Sequence, residues 1–231
     1  NTQEAQVNVA VDVARQLAAF REGELVEHAV NIPVGDRESL AEQRPFLQLA
    51  ELLGRFCMQL EPENVERVDV EVAGQVARRD TELVGRAVLK GLLERVTAQA
   101  VNLVNAHLVA EERGLAVEVR ADREPASGYT NLITVTTHAG AGRKVIAGTV
   151  FDGVPRIVRL RDLHIEFIPE GHILVLAYED RPGMIGRIGS ILGRHSVNIA
   201  SMHVGRRTRR GRAIVVLLLD DDVPPEVMEE V

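Results

Sequence analysis

Apolar residues return at helical spacing from Thr2 to about Arg21, at Ala5, Val9, Val13, Leu17 and Phe20. This predicts an amphipathic helix opened by Thr2 and closed by Gly23. Asn31-Ile32-Pro33 and Gly35 break the pattern and read as a linker. A second helix is expected from Pro45, a favoured first helical residue, through Leu47, Ala50, Leu53, Cys57 and Leu60. Glu66 to Ala73 alternates as a half-buried strand on Val68, Val70 and Val72. Helical spacing resumes from Thr81 to about Arg113, interrupted near Thr97, with Leu83, Ala87, Leu92, Val96, Ala100, Leu103, Val104 and Leu108 on its apolar stripe. Beyond Gly114 the period changes to two. Strands are expected at 116–120, 131–137, 143–150, 156–161 and 165–168, separated by Gly128, Gly140, Gly142, Gly153-Val154-Pro155 and Pro169-Glu170-Gly171. Helices followed by a run of hairpin-like strands predict an α+β protein, an antiparallel sheet layered with helices, with a domain boundary near Pro169.

The segment after that boundary carries the most chemistry. Ile173–Tyr178 reads as an apolar strand, Asp180-Arg181-Pro182-Gly183 as a sharp turn, Met184–His195 as a glycine-dotted helix, and Asn198 as the start of another strand. Pro182 presets φ in the turn, and Gly183 lets the backbone approach whatever lies in front of the helix. A helix opening there offers unpaired N–H groups and the positive end of its dipole to a small carboxylate. Asp180 could take an ammonium group, and Asn198 could donate to the same ligand. These are the requirements of a free amino acid. An ordinary strand–turn–helix in which Asp180 merely caps fits the same spacing. The strand from Asn198 alternates Ile199, Ser201 and His203 against Ala200, Met202 and Val204, so one face suits a core and its edge could pair with a second copy.

Composition narrows the class. The chain has 231 residues, 45% of them hydrophobic and 26% charged, which is enough to bury a core in one or two domains. A net charge of −7 argues against a nucleic-acid partner. Arg206-Arg207-Thr208-Arg209-Arg210-Gly211-Arg212 lies between two apolar strands without interleaved aromatics, and reads as solvated loop charge. The one cysteine, Cys57, can form no intramolecular disulfide, which fits a reducing, cytoplasmic setting. No apolar run approaches the roughly 20 residues of a membrane span. The seven histidines lack paired ligand spacing, so no metal site is expected. Gly140-Ala141-Gly142 leads into a strand and reads as a hairpin turn rather than a phosphate-binding loop. Arg143, Lys144, Arg156 and Arg159 lie on neighbouring strands and could converge on an anion, although alternating strand positions expose charge by default.

Asp180-Arg181-Pro182-Gly183, Ile188-Gly189 and Val197-Asn198-Ile199 resemble an ACT domain, the βαββ(αβ) ferredoxin-like module that senses amino acids. More closely, they resemble the ACT domain ending the bacterial D-3-phosphoglycerate dehydrogenases of the long form. Ala29–Pro33, Gly148–Gly153 and Pro169–His172 resemble the intervening domain of that family. Asn1–Ala10 resembles the last helix of its dehydrogenase core. The likeness implies three regions: 1–30 from the core, 31–169 as the intervening domain and 170–231 as the ACT domain. It further implies L-serine as feedback effector at an ACT dimer interface, with Tyr178, Asp180 and Gly183 on one subunit and Asn198 reaching across a two-fold axis. Family members often have His where Tyr178 stands and Asn where Asp180 stands. The intervening domain is associated with anionic effectors, which Arg143, Lys144, Arg156 and Arg159 would hold. NAD would serve the oxidation of 3-phosphoglycerate from a site upstream of Asn1, so no catalytic residue is carried over. A chain that begins with Asn1, and whose ACT module stops at Val231 before its fourth strand, is expected to be part of a longer cytoplasmic homo-oligomer. Two other readings stay open: an amino-acid-sensing module of a different enzyme, and a purely structural oligomerisation domain.

Overall fold

The computed structural model describes residues 3–21, 37–60, 65–140 and 142–231. The first helical stripe forms α1 (Gln3–Arg21), with Val7, Val9, Val13 and Leu17 all exposed. Thr2, Gly23 and the linker at Asn31–Gly35 lie outside the described residues. Helix α2 (Arg37–Leu60) begins earlier than expected and carries Pro45 in its interior. Proline removes one main-chain donor there. Side chains on either side of the defect tie the helix down: before it, Gln43 Nε2 donates to Asp80 O at 2.8 Å, and after it, Glu51 Oε2 accepts from Lys90 Nζ at 2.8 Å.

Strand β1 (Arg67–Gly74) is followed by a 3-10 turn and α3 (Thr81–Leu93), which Asp80 caps by accepting from the Leu83 N–H at 3.1 Å. The helical stripe then fails where the sequence predicts that it resumes. Residues 94–105 form turns, and helix returns only as α4 (Ala106–Glu112). The cause is local hydrogen bonding. Asn102 Oδ1 accepts from the N–H groups of Val104 and Asn105, Asn105 Oδ1 accepts from the Asn102 N–H, and Asn105 Nδ2 donates to Ala100 O. Side chains that offer the backbone such partners compete directly with the helix ladder.

Five strands complete the larger sheet: β2 (Ala116–Asp122), β3 (Asn131–Ala139), β4 (Gly142–Phe151), β5 (Val154–Leu160) and β6 (Leu163–Phe167). The order is β2-β1-β3-β4-β5-β6, antiparallel except for the pair β1–β2. That pair is parallel because α3 and α4 carry the chain back between the two strands. The class is α+β, as expected, with one crossover among the hairpins. Ala139 pairs with Gly142, so the Gly140–Gly142 run closes a hairpin. Helices α2 and α3 cover one face, over Val68, Val70, Ile133, Val135 and Ile146. Their mutual approach depends on two glycines. A Cβ on Gly54 would run into the Val88 carbonyl, and one on Gly91 into that of Glu51. Gly148 likewise leaves room for Leu49, whose Cδ1 would sit 2.6 Å from a Cβ there.

The remaining chain forms β7 (His172–Glu179), α5 (Met184–Arg194), β8 (Ile199–Arg206), β9 (Arg212–Leu219) and α6 (Pro225–Glu230), with sheet order β7-β9-β8. Both faces of this small sheet are covered. Leu174, Val215, Leu217 and Leu219 pack with Ile188, Ile191 and Leu192 of α5 and Val227 of α6. Ile214 and Val216 face the other way and share a core with Leu163, Ile165 and Phe167. Phe167 lies between Phe56 and His203, at ring-centroid distances of 5.9 and 6.0 Å. Gly205 admits the His164 carbonyl, which would lie 3.2 Å from a Cβ at that position. The register slips between Ile199 and Ser201, so Ala200 is bulged out. Ile199 therefore joins Met202 on the α5 side, and the simple alternation read from Ile199 holds only from Ser201 onward.

The glycines supply a test. Gly54→Ala should lower the unfolding free energy by about 1–3 kcal/mol or more, since backbone must move to admit the methyl. Gly189→Ala, in α5 with nothing within 4 Å of a Cβ, should raise it by about 0.5–1 kcal/mol. Urea titration of both variants checks the signs; equal effects would contradict the packing described here.

Candidate functional site

Strands β7 and β8 flank β9 and run parallel to each other, so the two ends of the small sheet differ in chemistry. At one end β7 finishes at Glu179, the chain turns through Asp180-Arg181-Pro182, and α5 begins. Gly183 is the residue before the helix, with φ +93° and nothing within 4 Å of the place a Cβ would take. It takes the left-handed backbone angle that starts the helix, and the space in front of it is open. No side chain caps α5; the Met184 N–H donates to Arg181 O at 3.3 Å, and the other first-turn N–H groups have no side-chain partner among the described residues.

Asp180 is tied to the end of the sheet. Its N–H donates to Gly211 O at 2.9 Å, and its Oδ2 accepts from Arg206 Nη1 at 2.6 Å and from the Arg210 N–H at 3.4 Å. The Arg206 hydrogen bond, reinforced by its charge, holds the Asp180 carboxyl below the ordinary aspartate range despite partial desolvation. Tyr178 is half-buried against the α5-side core. Burial, and then the Asp180 charge, push its phenol upward, so it stays protonated and can donate a hydrogen bond.

Asn198 lies at the opposite end. Its Nδ2 donates to Asp220 Oδ2 at 2.6 Å, and the Asp220 N–H returns a bond to Asn198 O at 3.2 Å. Strand β8 has eight residues, so Asn198 stands on the order of 25 Å from Asp180 within one chain. A single copy brings together Tyr178, Asp180 and Gly183, and leaves Asn198 apart. The outer edge of β8 has no strand partner among the described residues.

The four cations of the middle region divide as well. Arg143, Lys144 and Arg159 line one open cleft of about 530 Å³ together with Arg161 and Asp162. Arg156 is elsewhere: it pairs with Glu166 at 3.0 Å and lies over the Phe151 ring at 5.6 Å. Arg159 stands opposite Ala147 and Arg156 opposite Thr149, so Arg156 lies farther along β4 from Arg143 and Lys144. Arg161 takes its place in the cleft, at φ +55° in the β5–β6 turn. The sequence reading puts Arg161 at the end of the expected strand 156–161 without counting it among the anion-binding cations; in the structure it lies in the turn just beyond β5. The same reading misses Arg206, because the run of arginines reads as loop, although Arg206 is the last residue of β8, opposite Ala213. Among the described residues, no three or more His, Cys, Asp or Glu side chains gather to hold a metal, and no helix is long and apolar enough to cross a membrane.

Comparison with known proteins matches residues 42–161 to the D-3-phosphoglycerate dehydrogenase intervening domain and residues 172–231 to the ACT domain. The chain is similar over its whole length to the D-3-phosphoglycerate dehydrogenases of Methanocaldococcus jannaschii, at 37% identity, and Bacillus subtilis, at 33%. It is also 37% identical to that of Synechocystis sp.. It spans 44% of the length of the first two and 42% of the third.

The Asp180–Arg206 pair has a pH signature. A depressed carboxyl contributes stability that is complete above the ordinary aspartate value and lost as pH falls through its lowered folded value. Carboxyl-detected NMR titration should place Asp180 below an ordinary aspartate in the native chain and return it upward in Arg206→Gln. An unchanged Asp180 titration in that variant would contradict the pairing.

Proposed function

The chain belongs to the family that carries the D-3-phosphoglycerate dehydrogenase intervening domain, here followed by an ACT domain, and on that premise we propose that it is the regulatory portion of such an enzyme. The whole protein would oxidise 3-phosphoglycerate with NAD in serine biosynthesis, as a cytoplasmic homo-oligomer. L-serine would bind as feedback effector where two ACT modules meet. In this reading residues 1–30 end the dehydrogenase core, 31–169 form the intervening domain and 170–231 the ACT domain. The exposed apolar side chains of α1 suit a helix that packs on such a core. No dinucleotide turn or catalytic group is assigned to this chain.

One observation carries the proposal: the β8 edge, unpaired among the described residues, has Asp180 and the α5 mouth near one end and Asn198 at the other. A two-fold axis through the middle of β8 would pair the edges of two copies antiparallel. Asn198 of the second copy would then arrive at the end where Asp180 stands. Each of the two sites would hold the ammonium on Asp180 of one copy, near Tyr178, with a donor from Asn198 of the other. A ligand that touches both copies favours one relative arrangement of them, within the limit of its differential affinity. The cleft of Arg143, Lys144, Arg159 and Arg161 supports a second proposal, an anionic effector site in the intervening domain that excludes Arg156.

Calorimetric titration of the 231-residue chain, at concentrations where sedimentation gives a dimer, should show L-serine binding. Asp180→Ala should weaken it by at least about tenfold, the loss of one charge-assisted hydrogen bond. Asn198→Ala should do the same. Mixing the two variants should restore one tight site per mixed dimer, because one of its sites then has both native residues. A dimeric native chain that takes up no serine would overturn the reading. Restoration that fails on mixing would place both residues in the same copy's site.

A further inference from the structure

Arg206 is set apart from the basic run that follows it by its register. Tyr178 and Arg206 both lie opposite Ala213, on β7 and β8 respectively, so the three residues make one row across the α5 side of the sheet. Ala213 is 1% exposed and ends at a methyl, which leaves the middle of the row low between two long side chains. The Arg206 guanidinium reaches along this row to Asp180. Asp180 Oδ2 takes both available donors, Arg206 Nη1 and the Arg210 N–H, while Oδ1 accepts no bond from the described residues. Arg206 Nη2 and Nε likewise meet no acceptor among the described residues.

We infer that Arg206 is the specificity-determining residue of the proposed effector site, holding the ligand carboxylate while Asp180 holds the ligand ammonium. The inference rests on the amino-acid-binding reading above and adds a ligand group to it from the same subunit. An ion pair with one open oxygen and open N–H donors is the complement of an α-amino acid head group. A zwitterion adds two charge-assisted contacts without breaking the pair. A simple amine gains only the contact to Asp180, and a simple acid only the contact to Arg206. The site therefore selects molecules carrying both charges on one carbon. The first-turn N–H groups of α5 add to carboxylate binding, but a neutral amide oxygen can also accept from them, so the charge discrimination falls to Arg206.

L-serine and L-serinamide, which lacks the carboxylate charge, separate these roles in one titration series with the dimeric chain. The native chain should prefer serine by at least about tenfold. In Arg206→Gln that preference should shrink by at least about tenfold, through weaker serine binding and no loss of serinamide binding. Arg206→Lys, which keeps the charge without the planar fork, should fall between the two. The side chain of Arg206 is 51% exposed, so the variants should fold, and sedimentation checks that they dimerise. A serine-to-serinamide ratio unchanged in Arg206→Gln would overturn this inference while leaving the effector site itself standing. A native dimer that binds no serine would defeat both.

Discussion

The small sheet is packed on both faces, and the placement of every candidate ligand group follows from that. Its central strand, β9, buries Ala213 to Leu217 without interruption, with alternate side chains sent to α5 and to the middle region. A strand covered on both sides reads as a continuous apolar run rather than an alternating one. Core side chains fill most of both faces; a small cavity of about 120 Å³ remains between Val175, Ala177 and Ile214 and the middle region. Chemistry is left to the ends of the sheet and to its free edges, which is where Asp180, Arg206, Asn198 and the β8 backbone lie. Gly205 is part of the same constraint. Its missing side chain lets β6 pass beneath the end of β8, so the effector candidate stands directly above the middle region's last strand.

This contact also sets the distance between the two candidate sites. Arg207, next to the site residue Arg206, pairs with Asp162 at 2.9 Å, and Asp162 lines the cationic cleft with Arg159 and Arg161. A surface pair of this kind contributes little stability by itself. It does join the β8–β9 loop to the β5–β6 turn. The buried Phe167, between Phe56 and His203, joins the same two bodies through apolar contact.

Much of this was legible in the residues. Alternation located the strands of both sheets to within a few positions, and Pro182-Gly183 marked the start of α5. What failed to appear had local causes. The helical spacing of Val96, Ala100, Leu103 and Val104 was cancelled by the Asn102 and Asn105 side chains, which satisfy the backbone in a turn. Pro45 suggested a helix start, but a helix can carry one missing hydrogen bond when its flanks are anchored elsewhere. The parallel β1–β2 pair depends on how a crossover packs, which no single strand records. In the site, Tyr178, Asp180 and Gly183 come together because they are close in sequence. Arg206 became visible only through cross-strand register, and the separation of Asn198 from Asp180 only through the strand order β7-β9-β8.

The central claim is that the open edge of β8 is where two copies meet around a zwitterion, since the central strand β9 is buried on both faces. Hydrogen exchange on the β8 amides, followed with and without L-serine, tests it most directly. Outward-facing amides between Ile199 and Arg206 should exchange readily in the dilute monomer and become protected in the serine-bound dimer, while the buried β9 amides change little. Protection confined to other surfaces, with β8 exchanging at the same rate throughout, would contradict the account.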